Sequence, residues 1–155
     1  MKTKSQVVTE FYTAFQHRDA ELMAQCYADD VTFQDPAFGT LNGEEAKDMW
    51  RMLCGNAKDL KVTFEILEET EEYVKAHWEA NYTFSRSGRR VHNKIDATFT
   101  FENELISTHN DNFNLWHWSQ QALGTAGFLI GWSGFFRKKF QKETRKMLSQ
   151  YRSKN

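Results

Sequence analysis

Two cysteines and a single proline in 155 residues leave this chain little with which to staple or kink itself. Cys26 and Cys54 fall on separate predicted helices with no metal-type spacing, so neither a disulfide framework nor a cysteine-built zinc site is expected. Both are expected to be reduced structural thiols. No run approaches the roughly 18 apolar residues of a membrane-spanning helix. The opening MKTKSQVVTEF also lacks the apolar stretch of a secretory leader, and a soluble cytoplasmic protein is the expectation. The net charge of −1 gives no global reason to expect a nucleic-acid partner. His17, His77, His92 and His117 are scattered over ends and predicted outer faces, so no metal and no cofactor is called for. Gly124, Gly127, Gly131 and Gly134 open no phosphate-binding turn and read as loop and packing positions.

What the chain does have is apolar and aromatic substance, 40% and 15% of its residues. At this length that argues one folded domain with an aromatic-rich interior or cavity. Val7, Val8, Phe11, Ala14 and Phe15 sit at helical spacing and predict a first helix over Ser5 to His17. Asp19 reads as the N-cap of a second helix whose apolar face holds Leu22, Met23, Cys26 and Tyr27. Asp29 and Asp30 break that run. Val31 and Phe33 alternate with Thr32 and Gln34 as a half-buried strand, which ends at Asp35 before Pro36. A residue preceding proline is pushed toward extended backbone, which holds Asp35 in line with its strand. Ala37 to Asn42 predict a turn and Gly43 to Asn56 a third helix. Period-two runs then follow: Leu60 to Ile66, Val74 to Phe84, Ile95 to Phe101 and Leu105 to Leu115. Helices followed by an antiparallel meander predict an α+β fold, with the helices on one face of a curled sheet.

The stretch YADDVTFQDPAFGTLNG, set between a helix pair and a helix plus meander, resembles the SnoaL-like and ketosteroid-isomerase-like branch of the NTF2-like superfamily. The resemblance covers about residues 5 to 118. It implies a cone of cystatin-like fold, with residues 1–120 as the SnoaL-like domain and 121–155 as a C-terminal extension. It also implies a small-molecule pocket in the cone's open end, and two cones commonly pair through their sheets, so a homodimer is expected. The fold alone does not select a function, because it carries isomerases, cyclases, hydrolases, dehydratases and noncatalytic binding domains.

Residue by residue, Asp35 in FQDP matches the general-base aspartate of ketosteroid isomerases. Their oxyanion hole pairs a tyrosine with a protonated aspartate. Here Phe11 takes the tyrosine position, with Tyr12 one step off, and Ala97 takes the aspartate position, with Asp96 one step off. The same register turns Phe113, and with it His109 and Asp111, inward. Asp111 in THND then falls where SnoaL-type polyketide cyclases carry an acid-base aspartate. Asp35, His109 and Asp111 are thus the candidate catalytic residues. The pocket lining expected around them is Phe11, Tyr12, Phe15, Phe33, Trp50, Trp78, Tyr82, Ala97, Phe99 and Phe113. Apolar burial and a second nearby acid raise a carboxyl pKa, which suits cofactor-independent isomerisation, cyclisation or dehydration of a small, largely apolar or polycyclic molecule. Plainer roles stand beside these. Asp35 serves as a turn cap, His109 and Asp111 as a hydrogen-bonded pair, and the aromatic set as core, all within a noncatalytic binding or dimerisation module.

The charge that does exist is unevenly placed. From Arg137 to Asn155 eight Lys or Arg face the single Glu143, a net of +7, and the remainder carries −8. Trp132, Phe136, Phe140, Met147 and Tyr151 thread this run at helical spacing, so an amphipathic basic helix is predicted. Three uses compete for it: a lid over the cone mouth or an arm on a partner subunit, a membrane-surface helix, and a nucleic-acid contact.

Overall fold

A capping box starts the chain. In the computed structural model, which covers residues 1–155, the Thr3 side chain accepts from Gln6 N–H while the Gln6 side chain accepts from Thr3 N–H. α1 (Lys4–Gln16) follows and buries Val7, Val8, Phe11, Tyr12, Ala14 and Phe15. α2 (Ala20–Gln25) is capped by Asp19, as its position implies. The helix stops sooner than the apolar run, and Leu22 stays exposed. Tyr27 already belongs to β1 (Tyr27–Asp35), which carries Asp29 and Asp30 as exposed strand residues. Buried hydrogen bonds of the Tyr27 hydroxyl with Trp50 and His109 outweigh the local helical pattern.

The predicted turn at Ala37 to Asn42 is in part a strand. β2 (Gly39–Asn42) pairs antiparallel with β1 through Phe33 with Leu41 and Asp35 with Gly39. Gly43 caps α3 (Glu44–Asn56) with φ +57°, and a side chain there would press on the Asp29 carbonyl. β3 (Lys61–Glu69), β4 (Tyr73–Phe84), β5 (Arg89–Glu102) and β6 (Leu105–Asn112) form the meander. The sheet order is β2-β1-β6-β5-β4-β3, and β1 runs parallel to β6. The sheet is therefore mixed, and the first strand closes onto the last.

The last strand is shorter than its alternation implied. Asn114 accepts from His117 N–H and starts α4 (Leu115–Leu123), so Phe113 and Leu115 leave the sheet. Within β6 the pairing slips between Thr100–Thr108 and Phe101–Ile106. One extra residue there brings Ile106 to the inner face together with His109, where strict alternation would separate them.

The segment after the sheet forms three helices, α4, α5 (Thr125–Ile130) and α6 (Gly134–Lys154), and the basic run lies on α6 alone as the one amphipathic helix its spacing predicts. Trp132 precedes α6 and is exposed, as is Met147, while Phe136 and Leu148 are the buried members of its apolar face. Leu148 joins the main core of 28 buried residues. A second cluster, Val91, Leu115, Trp118, Ala122 and Phe136, fills the β4–β5 hairpin end of the sheet. The Trp118 indole donates to Tyr82 Oη there at 2.8 Å.

Candidate functional site

Three strands place the polar residues of the interior. β6 brings His109 and Asp111 to the inner face, β1 and β5 set Phe33 and Phe99 opposite His109, and α3 lays Trp50 parallel to its ring. Both polar side chains are buried: His109 is sealed at 0% exposed, while Asp111, at 7%, keeps an edge on an open cleft. Their bonds form one line. Trp50 Nε1–H donates to Tyr27 Oη at 2.8 Å, and Tyr27 Oη lies 2.7 Å from His109 Nδ1. His109 Nε2 lies 2.8 Å from Asp111 Oδ1, which also accepts from Trp78 Nε1–H at 3.2 Å.

Donors and acceptors close along this line only one way. Both indoles can only donate. If Tyr27 donates its proton to His109 Nδ1, the ring carries its own proton on Nε2 and passes it toward Asp111. With Nδ1 protonated instead, Tyr27 Oη would accept twice and its own O–H would lack an acceptor. The Nε2–H tautomer of a neutral imidazole therefore satisfies every member. Burial also pushes the Tyr27 phenol well above its ordinary range, so it stays a donor.

Asp35 stands outside this line. At the end of β1, its Oδ1 accepts from Phe38 N–H at 2.6 Å, so it does cap the β1–β2 turn. Burial nonetheless lifts its carboxyl from 3.8 to about 7, and the charge on Asp111 adds to the rise while the Phe38 and Ala37 N–H groups oppose it. Asp35 and Asp111 both line one open cleft of about 600 Å³, walled by Gln34, Thr40, Asn110, Arg137, Gln141 and Arg145, without a hydrophobic residue. α6 forms its roof: Gln141 donates to Pro36 O, Thr144 to Ala37 O and Arg145 to Thr40 O. Arg137 makes no ion pair or side-chain hydrogen bond, and it lines this cleft as a free cation.

The expected pocket lining falls elsewhere. Phe11, Tyr12, Phe15, Phe33, Trp50, Trp78, Ala97 and Phe99 are buried in the main core, interlocked edge to face and stacked. Tyr82 and Phe113 are half-buried and bridge the two clusters. Phe113 also lines a second open cleft, of about 620 Å³, with Asp96, Trp116, Trp132 and Arg137. The Tyr12 hydroxyl is buried without any partner. Four contributors, Tyr27, Arg137, Gln141 and Arg145, are absent from the candidate site residues the sequence pointed to. Tyr27 carries no signal of strand parity, because the β1 pairing with β6 slips between Tyr27 and Thr32 and the intervening Asp29, of the same parity, is exposed. Arg137, Gln141 and Arg145 recur every four residues, hence on one helix face.

A curled mixed sheet enclosing helices and an inward polar strand defines an NTF2-like, cone-shaped α+β protein. The family model for the SnoaL-like domain matches residues 8–109, and the chain belongs to that family. No curated protein matches it by sequence. Solved structures similar in fold include a candidate polyketide cyclase from Xanthomonas campestris pv. campestris, with 18% identity, 77% of this chain and 96% of that one covered, and a TM-score of 0.67. An NTF2-like protein of unknown function from Burkholderia pseudomallei K96243 is 22% identical over 79% of this chain and 99% of its own, with a TM-score of 0.66. An LEH-like epoxide hydrolase from M. tuberculosis is 16% identical over 81% and 94%, with a TM-score of 0.62.

Proposed function

We propose that this SnoaL-like protein is a cofactor-independent proton-transfer enzyme, an isomerase, cyclase or dehydratase, with Asp35 as its base. The observation that carries the reading is a carboxyl with a pKa near 7 on a cleft that it shares with a second acid and a free guanidinium. A base poised near neutrality both takes and returns a proton. Ionised Asp35 removes a proton from the carbon beside a carbonyl, the electron pair moves onto the carbonyl oxygen as an enolate, and Arg137 faces that developing charge. The protonated Asp35 then returns a proton, to the same carbon in simple exchange or, where the substrate carries a conjugating double bond, to the far carbon of the dienolate as that double bond shifts. The all-polar walls favour a small substrate bearing a carboxylate, in place of the apolar polycycle expected from the aromatic content. His109 acts by holding Asp111, since it is sealed from the cleft.

The test is α-proton exchange into small carboxylate-bearing ketones in heavy water, followed by NMR, with Asp35→Asn, Asp111→Asn and the unaltered chain. Loss of general-base catalysis in Asp35→Asn should cost about 10²- to 10⁴-fold. Exchange equal to that of the unaltered chain would refute the assignment. Activity should also rise as pH passes about 7 and then level off.

Stability provides a second, independent check. The native state keeps a proton on Asp35 that the unfolded chain releases near 3.8. Asp35's contribution is therefore complete below that value and is lost as pH rises toward about 7. Denaturation midpoints across this window should fall for the unaltered chain and stay flatter for Asp35→Asn.

A noncatalytic ligand-binding module is the second reading, favoured by the engagement of the buried His109 and Asp111 in structural hydrogen bonds. It predicts no exchange above background with any variant.

A further inference from the structure

From Asn112 to Phe136 the chain carries no Asp, Glu, Lys or Arg. Part of this stretch packs against itself. α4 and α5 meet so closely that a Cβ on Gly127 would lie 1.9 Å from Ser119 O, and one on Gly131 1.9 Å from Ser119 Oγ. Ser119 Oγ bonds the Trp116 and Gly127 carbonyls, which ties the two helices at that contact. The small-residue face of α5 is thereby used up, and its other side chains are driven outward. Phe128, Leu129, Ile130, Trp132 and Phe135 are 52% to 79% exposed, five large apolar groups within eight residues. So dense an exposed apolar patch marks an interaction surface on a folded domain.

The patch is finished as an apolar surface. Trp116 Nε1–H donates to Phe128 O and Trp132 Nε1–H to Leu129 O. Both exposed indoles thus have their single polar hydrogen satisfied internally, and entering a nonpolar phase would strand neither. Beside the patch, α6 continues the stripe from Phe135 through Lys138, Lys139, Lys142 and Lys146, at helical steps of three or four. All four lysines are exposed and none makes an ion pair. The acids nearby are engaged elsewhere, Asp96 with His77 and Glu143 with Arg86. The opposite face of α6 is committed to its own domain through Leu148, Gln141 and Thr144.

We propose that the α5–α6 knuckle seats this protein on an anionic lipid bilayer, with Phe128, Leu129, Ile130, Trp132 and Phe135 in the interface and the α6 lysines on the headgroups. Apolar insertion and lysine attraction act together in such a seat. No helix is long and apolar enough to cross a membrane, so the contact is peripheral. A second copy of the chain fits the same patch less well, because an isologous pairing would bring two lysine stripes together without acids between them.

The experiment is co-sedimentation of the full chain with vesicles of phosphatidylcholine alone or with roughly a quarter phosphatidylserine. Light scattering in solution accompanies it. The unaltered chain should bind the anionic vesicles at least tenfold more tightly, and added salt should weaken binding. Leu129→Glu and Phe135→Glu should each abolish it, while Lys138→Ala with Lys142→Ala should remove the lipid preference. Because these positions are exposed, thermal melts should be unchanged, which separates lost binding from lost folding. Absence of binding to anionic vesicles, or equal binding by the glutamate variants, overturns the proposal. So does a dimer in solution that Leu129→Glu splits, since the patch would then face a second copy.

Discussion

The cone interior and the α5–α6 knuckle are built from the same kinds of side chain and have opposite exposures. Inside, Phe11 contacts Tyr27, Trp50, Phe99 and His109, and every one of these rings is buried. On the knuckle, Phe128, Trp132 and Phe135 face outward although the segment is the less charged of the two. The difference lies in what the backbone offers each ring. In the cone, alternate strand residues converge from several directions on α1 and α3. In the knuckle, two glycines bring helix backbones into contact and leave no room for a side chain between them. Aromatic content therefore marks apolar substance, and topology decides whether it becomes core or surface.

The sharpest break in this comparison should come from truncating one tryptophan in each region. Trp50→Ala empties core volume and removes the donor to Tyr27, so denaturant unfolding should show a loss of about 3–5 kcal/mol. Trp132→Ala should anchor the other end of the scale at about 0.5 kcal/mol or less. A loss at Trp132 as large as at Trp50 would mean that the knuckle is core after all.

Between these extremes lie two tyrosines of the interior that separate polar satisfaction from apolar packing. Tyr27→Phe deletes the hydroxyl joining Trp50 to His109 and strands both neighbours, at a cost of about 1–3 kcal/mol. Tyr12→Phe deletes a hydroxyl that has no partner, so stability should hold or rise by up to about 1 kcal/mol. Equal losses at both positions would show that the Tyr27 line contributes nothing beyond its rings.

The roof over Asp35 gives the comparison a functional edge. Gln141 and Thr144 of α6 bond the carbonyls of the Pro36–Ala37 turn, whereas the lysines of the same helix stand free on its other side. One helix thus serves the cleft with one face and carries the knuckle's cationic stripe on the other.

Much of the fold was legible in local pattern. The cap at Asp19, the inward parity of Ile95, Ala97 and Phe99, and the outer faces of His77 and His92 follow from spacing alone, because helix and strand periods are properties of neighbouring residues. The inward turn of His109 and Asp111 came from register within the family resemblance, as hydrophobicity could not choose between two polar faces. Local pattern puts Tyr27 on a helix, whereas its decisive partner lies 82 residues away and draws it into β1.

By itself, then, the sequence determined the first three helices, the meander and the basic helix, the aromatic wealth of the interior, the acid at the end of β1 and the separation of +7 from −8. Tertiary structure alone decided that β1 would lie parallel to β6, that Asp35 and Asp111 would share a cleft, that α6 would roof it, and that five apolar side chains of α5 and its flank would remain outside. The physical reason is the range of the interactions concerned. Periodicity and capping act over one or two turns, while burial, carboxyl coupling and helix contact depend on groups that only the assembled sheet and its helices bring together.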